Sequence, residues 1–287
     1  MIAFEYLLHG TDKSVPVIRL YDTVVEPFNR RYRKHMHTAF EISVCCCGSG
    51  IYRVKENIYT ITPGDVFFFA GNVPHCITQI DDSEIMTLTT EQFEPRFLWA
   101  YGEYNFDLKY LGLFNCSDMP FEHKFSSGSE VAQRVSEYLF EMKREYLALD
   151  IEYEYMIRSA LSRLMIYFIR KFGKDLPEFS VNKQSIANLN GAMNYIDENF
   201  SSDISLEAIS DISGMSRNYF CTLFKKLNGL SPWDYITIRR VEKSLEYIKN
   251  TDLTMLEIAC LCGYNNTANF NRAFKKITGR IPSDYRK

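Results

Sequence analysis

The chain has 287 residues, of which 46% are hydrophobic and 15% aromatic, and its formal net charge is −3. This length favours two domains, and the apolar content is enough to give each a core, which excludes an intrinsically disordered chain. The N-terminus lacks the basic start and apolar run of a secretory signal, and no stretch approaches the roughly 18 apolar residues that a membrane span requires. We therefore expect a cytoplasmic protein that makes no contact with a membrane.

Short β-strands are predicted from about residue 14 to 95. Six β-branched and aromatic runs are separated by turn compositions such as GSG, KEN, PGD and GNVP. The runs are VPVIRLY, FEISVCCC, GIYRV, IYTI, VFFFA and CITQI. Many short strands at this spacing predict a small β-barrel or a double-sheet sandwich.

Three adjacent cysteines, Cys45, Cys46 and Cys47, lie in the second of these runs. They cannot all face the same side of one strand. The chain has no CxxC pair of the kind found in zinc sites, so in a reducing compartment we interpret its eight cysteines as small apolar residues. The alternative is that the triplet senses the redox state.

The strand region also carries His35, His37, Glu41 and, after a PGD turn, His75. On an extended strand the first three share one face and point into the predicted barrel. Two histidines and a carboxylate with a distant histidine suffice to bind a divalent Zn, Fe, Ni or Mn ion. Two alternatives stay open: His37, Glu41 and His75 line a metal-free pocket for a small molecule, or all four only support the fold. No cofactor other than this metal is expected.

Helical spacing of apolar residues begins near residue 130. The segments 130–144 and 152–172 both show it, and one stripe contains Leu161, Leu164, Met165 and Phe168. We interpret these helices as a dimer interface and relay, and the polar stretch 173–185 as a linker. The predicted division is a ligand-sensing domain at 1–128, connector helices and linker at 129–180, and a DNA-binding domain at 181–287.

An internal repeat occupies the C-terminal part. The segment LEAISDISGMSRNYFCTLFKKLNGLSPWDY, from Leu206, matches MLEIACLCGYNNTANFNRAFKKITGRIPSDY, from Met255. The residues in register include Phe220 with Phe270, Phe224 with Phe274, Lys225-Lys226 with Lys275-Lys276, Gly229 with Gly279, Pro232 with Pro282, and Tyr235 with Tyr285. So many matches predict two copies of one structural unit.

Each copy has the pattern of a helix-turn-helix. A short helix, Leu206 to Ile212 or Leu256 to Leu261, ends near a glycine suited to a left-handed turn. Ser216 is expected to cap the second helix of the first copy, and Asn266 or Thr267 that of the second copy.

Two further signals place the remaining helix starts. Thr254 and Glu257 have capping-box spacing, and Pro232 follows Ser231 at the first turn of a helix predicted over 232–249. That helix is roughly 27 Å long, which is enough to hold the two units about one DNA turn apart.

The second helix of each copy is predicted to read DNA. Aromatic and aliphatic residues share one face (Phe220, Leu223, Phe224 and Leu227; Phe270, Ala273, Phe274 and Ile277), and a polar face lies opposite. Arginine suits guanine, asparagine suits adenine, and lysine suits phosphate. The alternative is that these are solvated faces of a helical bundle. The candidate residues are Arg217, Asn218, Cys221, Thr222 and Lys225 in the first helix, and Thr267, Ala268, Asn269, Asn271, Arg272 and Lys275 in the second.

These C-terminal blocks resemble the signature of the AraC/XylS family of bacterial regulators over about residues 188–287. The pattern HxHxxxE followed by Gly48 likewise resembles the first cupin motif. The resemblance implies an α+β multidomain fold, with a cupin-like N-terminal β-barrel, connector helices, and an all-α C-terminal domain with two helix-turn-helix units.

The resemblance to the AraC/XylS family also implies which residues read bases: Asn218, Cys221, Thr222, Ala268, Asn269 and Arg272. Cys221 and Thr222 lie where long polar or basic side chains are common in the family, so the first unit is expected to read bases weakly or through thymine methyl groups.

We therefore expect a sequence-specific transcription regulator, an activator by the resemblance, that is controlled by a small-molecule effector such as a sugar. Double-stranded DNA, the effector, RNA polymerase and a second copy of the chain are the expected partners, and no catalysis is expected. Two rival hypotheses are a metal-dependent cupin enzyme fused to a DNA-binding module and a constitutive architectural DNA binder. The latter would leave the polar barrel interior without a use.

Overall fold

The computed structural model describes residues 2–9, 16–25, 37–71, 73–81, 85–94, 96, 122–174 and 183–286. They form two compact units, of which the first contains the β-strands and the first two helices and the second contains the remaining helices. None of the helices in these ranges is long and apolar enough to cross a membrane.

The strands of the first unit form two antiparallel sheets. The larger has the order β1-β2-β8-β3-β6-β9 and the smaller the order β5-β4-β7. The strands are β1 (Ile2–His9), β2 (Pro16–Val25), β3 (Phe40–Cys47), β4 (Gly50–Val54), β5 (Asn57–Ile61), β6 (Val66–Phe69), β7 (His75–Ile80), β8 (Met86–Phe93) and β9 (Lys124–Phe125). All six runs identified in the sequence lie on β2 to β7, so the predicted strand-rich domain is confirmed.

Aromatic side chains join the two sheets face to face. The ring of Tyr52 on β4 lies 4.7 Å from that of Phe67 and 5.5 Å from that of Phe69 on β6, measured between centroids. All three side chains are buried. Because β6 is next to β3 in the larger sheet, this contact defines an interior that the inward-facing residues of β3 share.

The opposite face of the larger sheet is covered by two helices, α1 (Glu130–Ala148) and α2 (Tyr153–Phe172). Phe68 of β6 points to this side and contacts Phe168 at 5.2 Å between centroids. The apolar stripe predicted on α2 is fully buried. The stripe therefore packs inside its own unit, and it is not the dimer surface that we expected from the sequence.

The second unit contains six helices and a 3₁₀ turn among the described residues. They are α3 (Lys183–Asn199), α4 (Leu206–Ile212), α5 (Arg217–Asn228), α6 (Pro232–Asn250), α7 (Met255–Leu261), α8 (Thr267–Thr278) and the turn Pro282–Tyr285. The two copies of the repeat have equivalent cores. Tyr235 packs edge-on against Phe224 at 5.5 Å, and Tyr285 packs edge-on against Phe274 at 5.2 Å.

Side-chain caps begin the recognition helices α5 and α8. Ser216 caps α5, and its hydroxyl accepts the N–H of Tyr219. Asn266, and not Thr267, caps α8, because its side-chain oxygen accepts the N–H of Asn269 at 2.8 Å. Both caps have extended backbone, so the chain turns sharply between each cap and the helix before it.

Glycine makes that turn possible in both copies. Gly214 has φ +61° and Gly263 has φ +79°, values that favour glycine. A Cβ at Gly263 would also lie 2.8 Å from the carbonyl oxygen of Ser201. The capping box of Thr254 and Glu257 starts α7, and Pro232 starts α6, both as the sequence predicts.

Candidate functional site

The recognition helices bury their apolar faces and expose their polar faces. Phe220 and Phe224 of α5 and Phe270 and Phe274 of α8 are fully buried, whereas Ala273 is only half-buried. Of the candidate DNA-contacting residues, two are half-buried, Cys221 and Thr267, and the others are exposed. The exposed ones are Arg217, Asn218, Thr222, Lys225, Ala268, Asn269, Asn271, Arg272 and Lys275.

The two exposed faces differ in how their arginine is held. Arg217 opens α5 and donates to the Glu207 carboxylate of α4 at 2.6 Å. Arg272 lies at the middle of α8, is exposed, and takes part in no ion pair with another described residue. Helix α8 therefore presents the guanidinium group of Arg272 to solvent, whereas the guanidinium group of Arg217 on α5 is held in an ion pair within the same unit.

Lysines follow at the C-terminal end of each recognition helix. Lys225 and Lys226 close α5, and Lys275 and Lys276 close α8. All four are exposed, and Lys276 lies 3.3 Å from the carboxylate of Asp234 on α6. Cationic ends on two exposed helices give each helix-turn-helix unit a positive margin beside its polar face.

A polar network lies inside the β-sandwich, centred on Glu41 of β3. The Glu41 carboxylate accepts hydrogen bonds from the Ser43 hydroxyl at 2.9 Å and from the Gln92 amide of β8 at 2.8 Å. Ser43 also bonds to the hydroxyl of Thr90 at 2.9 Å. All four residues are buried. The buried carboxylate is thus compensated by neutral hydrogen-bonding groups on the same face of the sheet.

His75 faces this network from the start of β7. Its Nε2 lies 3.6 Å from Oε2 of Glu41, and its ring stacks on Phe69 with the centroids 4.2 Å apart. One possible ligand atom each from His37, Glu41 and His75 lies within 4.8 Å of the others. Three of the four predicted polar residues are therefore brought together, and His35 lies outside the described residues.

His37 reaches this group from irregular backbone. β3 begins only at Phe40, so the strand alternation assumed for His37 does not apply to it. Ser43, Thr90 and Gln92, which also belong to this network, were not predicted from the sequence. Ser43 lies two residues after Glu41 on β3, so strand alternation could have predicted that it faces the same side. The position of Gln92 could not be predicted in this way, because it follows from the pairing of β3 with β8, which places Gln92 directly opposite Glu41.

A second buried carboxyl, Glu91, lies on the opposite face of the same sheet, toward the helices. It is fully buried, and neither carboxyl oxygen has a hydrogen-bond partner among the described residues. Burial raises the pKa of Glu91 to about 8. Its neighbours across the strands are the apolar Leu20 and Ile42. The sequence MTLTTEQF gives no sign of this burial.

The cysteine triplet is divided between two environments. Cys45 is buried, whereas Cys46 and Cys47 are exposed. Burial raises the pKa of the Cys45 thiol to about 12, so this thiol stays protonated and weakly nucleophilic at neutral pH. The expected apolar role suits Cys45, and the redox alternative for the two exposed thiols stays a prediction.

Two family models match the chain. The one described as "AraC-like ligand binding domain" matches residues 27–149, and the one described as "Helix-turn-helix domain" matches residues 209–287. Together they account for more than half of the chain. The first spans β3 to β9 together with α1, and the second spans both recognition helices.

Curated relatives match over nearly their whole length. The raffinose operon transcriptional regulatory protein RafR of Pediococcus pentosaceus is 26% identical, over 90% of this chain and 98% of its own. The HTH-type transcriptional activator RhaS of Escherichia coli O81 is 23% identical, over 89% of this chain and 87% of its own. Both are named as transcriptional regulators, and the enzyme hypothesis finds no support in them.

A solved structure has the same fold. ToxT from Vibrio cholerae superimposes with a TM-score of 0.60 at 13% sequence identity, over 94% of this chain and 97% of its own. A β-rich N-terminal domain followed by a helical domain with two helix-turn-helix units is therefore an established arrangement. On the two matched domains and these relatives, the chain belongs to the AraC family of transcriptional regulators.

Proposed function

We propose that this regulator reads DNA through α5 and α8 and that a small-molecule effector bound inside the β-sandwich controls the binding. The observation that carries the proposal is the exposure of two polar, basic-ended recognition faces in a single compact unit. Two reading helices on one chain suit two successive major grooves of the same duplex.

The residues of the two faces receive different roles. Arg272 contacts a guanine, and the asparagines contact adenines, since these side chains match those base edges in bidentate fashion. Thr222, Cys221 and Ala268 are short and suit thymine methyl groups, and Lys225 and Lys275 contact phosphates. Arg217 and Thr267 open their helices beside the DNA backbone. The assigned asparagines are Asn218, Asn269 and Asn271.

The effector is proposed to bind beside His37, Glu41 and His75. A carboxylate, an amide and hydroxyls on one face can both accept and donate hydrogen bonds, as a neutral, hydroxyl-rich molecule requires. The rings of Tyr52 and Phe69 border this polar group and offer an apolar surface to a sugar ring. A sugar effector agrees with the operon for which the relative RafR is named.

A second copy of the chain is proposed to bind at the turn between α1 and α2. Large apolar side chains are exposed there: Leu147, Leu149, Ile151, Tyr155 and Met156. Ile151 is 94% exposed, and a group of exposed large apolar side chains, unlike a single one, is typical of an interaction surface. Homodimers would place two DNA-binding units on one operator and raise their effective concentration. A full-length protein that sediments as a monomer both on and off DNA would exclude this interface.

The proposed setting is the cytoplasm, where the DNA-bound regulator activates transcription by contacting RNA polymerase. The relative RhaS is named as a transcriptional activator, and it matches over most of both chains, which supports activation in preference to repression. Transcription from a selected site in a purified system checks it. The regulator should raise the amount of transcript, and a decrease would identify a repressor.

The central test is the selection of bound fragments from genomic DNA, followed by affinity measurements with and without candidate neutral sugars. A sugar that acts through the sandwich should change the affinity of the full chain for its selected site and leave that of a fragment of residues 181–287 unchanged. An equal change for both would place the effector in the DNA-binding unit. No change with any sugar would contradict a sugar effector.

A further inference from the structure

We infer that Cys46 and Cys47, at the end of β3, form a dithiol site that binds trivalent arsenic compounds. Consecutive side chains of a strand normally point to opposite faces of the sheet. The pairing of β3 with β8 is irregular here, because Cys45 is opposite Leu88 and Cys47 is opposite Thr87, which leaves Cys46 as an extra residue. A β-bulge of this kind re-aims a side chain and can turn two consecutive side chains to the same face.

The contacts of the two thiols show that the bulge has this effect. Sγ of Cys46 lies 3.4 Å from the hydroxyl oxygen of Thr89, and Sγ of Cys47 lies 3.0 Å from that of Thr87. The two threonines are two residues apart on β8, so their side chains share one face. Both thiols therefore lie on that face. Since neighbouring Cα atoms are about 3.8 Å apart, a single arsenic atom can reach both sulfurs.

The third cysteine of the run is separated from this pair by the fold. Cys45 faces the interior of the sandwich, as Glu41 does, and its Sγ lies 3.5 Å from the carbonyl oxygen of Gly48. Cys45 is buried, whereas Cys46 and Cys47 are exposed. A ligand that arrives from solvent therefore meets two thiols of the run and not three.

The dithiol lies on the opposite face of the sheet from the polar network proposed for the effector. Thr89 is opposite Asp22 on β2 and donates its hydroxyl hydrogen to that carboxylate at 2.7 Å. The network of Glu41 lies on the other face, where it includes Thr90 and Gln92. The dithiol is thus a separate site, and binding there requires neither the effector nor DNA.

Binding is a condensation in which no atom changes its oxidation state. The hydroxyl hydrogen of Thr89 is used by Asp22, so the Cys46 thiol is the donor in its contact with Thr89. A compound R–As(OH)₂ forms one As–S bond to each sulfur and loses both of its As–O bonds. Each thiol hydrogen leaves with a hydroxyl group as water, so two water molecules are released and arsenic stays trivalent.

Two thiols held side by side bind such a compound more tightly than one thiol. Sulfur ligands are soft and suit thiophilic elements. After the first As–S bond has formed, the second bond forms within the same complex, at a high effective concentration of the second thiol. The pair should therefore be occupied at arsenic concentrations that leave isolated exposed thiols free.

The test is a titration of the reduced full chain with phenylarsine oxide, which hydrates to R–As(OH)₂. Mass spectrometry of the intact protein counts the adducts, and mass spectrometry after digestion locates them. The first arsenic bound should bridge Cys46 and Cys47. The adduct should resist an excess of a monothiol and be removed by a small dithiol, because only the dithiol replaces both As–S bonds in one complex.

Two variants separate the folded arrangement from adjacency in the sequence. Cys47→Ser keeps the adjacent Cys45 and Cys46, but the fold places those two thiols on opposite faces, so arsenic binding to the native variant should weaken by at least roughly hundredfold. Cys45→Ala keeps the proposed pair and should bind like the unmodified chain. In urea, where the strand is lost, Cys47→Ser should regain its binding.

Two further variants complete the design. Cys46→Ser should also lose the adduct, and it takes the place of Cys47→Ser if that variant fails to fold. Cys260→Ser removes an exposed thiol of the helical unit and should bind like the unmodified chain. Thermal unfolding of each variant shows that it is folded before the titration.

The inference is overturned if the native unmodified chain binds no arsenic, or if a monothiol removes the adduct as easily as a dithiol does. It is equally overturned if native Cys47→Ser binds as tightly as Cys45→Ala, since adjacency in the sequence would then suffice. Loss of the adduct in Cys260→Ser, with binding kept in Cys46→Ser, would move the site to the helical unit and contradict the inference.

Discussion

The two units differ in where the ionisable side chains on which their proposed roles depend are placed. The β-sandwich buries Glu41 and Glu91, which are 3% and 0% exposed, whereas the helical unit exposes Arg272 and Lys225 to solvent. A buried charge affects the stability of its unit, because removal from water is costly. An exposed charge has little effect on stability and is available to a charged partner. Substitutions in the first unit should therefore alter stability or ligand binding, and those in the second should alter DNA binding.

The largest effect is expected from Glu91→Gln. The pKa of Glu91 is raised by burial to about 8, against about 4.3 in an unfolded chain. Because the pKa is higher in the folded state, the stability that the protonated carboxyl contributes is fully present below the pKa of the unfolded state. It is lost as the pH rises toward the pKa of the folded state. Glutamine cannot ionise, so the variant does not lose this stability as the pH rises. The unfolding free energy of the variant minus that of the unmodified chain should therefore increase by about 3 kcal/mol between pH 5 and pH 7.5. Urea unfolding of the sandwich at both pH values measures this.

The surroundings of Glu91 make this prediction specific. Asp22 and Lys143 of α1 form an ion pair on the same face of the sheet, with their charged atoms 2.5 Å apart, and burial alone raises the pKa of Glu91. Glu137→Gln changes an exposed glutamate on α1 and should show no such pH dependence. A constant difference between the Glu91 variant and the unmodified chain would show that the Glu91 carboxyl is not buried.

Arg272→Ala should weaken binding to the selected site by roughly 1–3 kcal/mol and relax the preference at one base pair, because a bidentate contact to guanine is lost. Arg217→Ala should cost less, since Arg217 must first leave Glu207 to reach DNA. Binding to the selected site and to single-base variants of it measures both. A larger loss for Arg217→Ala would reverse the ranking of the two helices.

Lys225→Ala should weaken binding to all sequences alike and reduce the salt dependence of the affinity by about one ion, as expected when one phosphate contact is lost. Titrations at several salt concentrations, on the selected site and on unrelated DNA, check this. If Lys225→Ala and Arg272→Ala lose affinity equally on every sequence, the separation into phosphate-contacting and base-reading residues is wrong.

Glu207→Gln should have the smallest effect. It releases Arg217 from an exposed ion pair, and such pairs contribute about 0–1 kcal/mol. Affinity for DNA should rise slightly, and more at low salt, while the stability of the helical unit changes little. Weaker DNA binding by this variant would mean that the ion pair positions Arg217 for its contact.

The helical unit could be predicted closely from sequence because its signals are local and occur twice. The spacing of Phe220 and Phe224 repeats at Phe270 and Phe274, and glycines and caps delimit each helix within a few residues. Only the choice between Asn266 and Thr267 as cap needed the structure, which shows that the asparagine oxygen accepts the hydrogen bond.

The sandwich was harder to predict because its contacts join distant parts of the chain. The presence of strands and the grouping of His37, Glu41 and His75 followed from composition and motif. The hydrogen bond from Gln92 to Glu41 spans 51 residues and depends on strand register. The stripe on α2 was recognised as apolar, but only the packing of Phe168 on Phe68 revealed that it covers its own sheet.

The base preferences of the full chain, obtained by sequencing DNA fragments selected over several rounds, test the central claim most directly. Two reading helices on one chain predict two blocks of specified bases whose centres lie about 10 base pairs apart, one DNA turn. The block assigned to α8 should lose its specified position in Arg272→Ala, and the other block should persist. A single block, or enrichment that follows charge and shape without any specified base, would contradict the account.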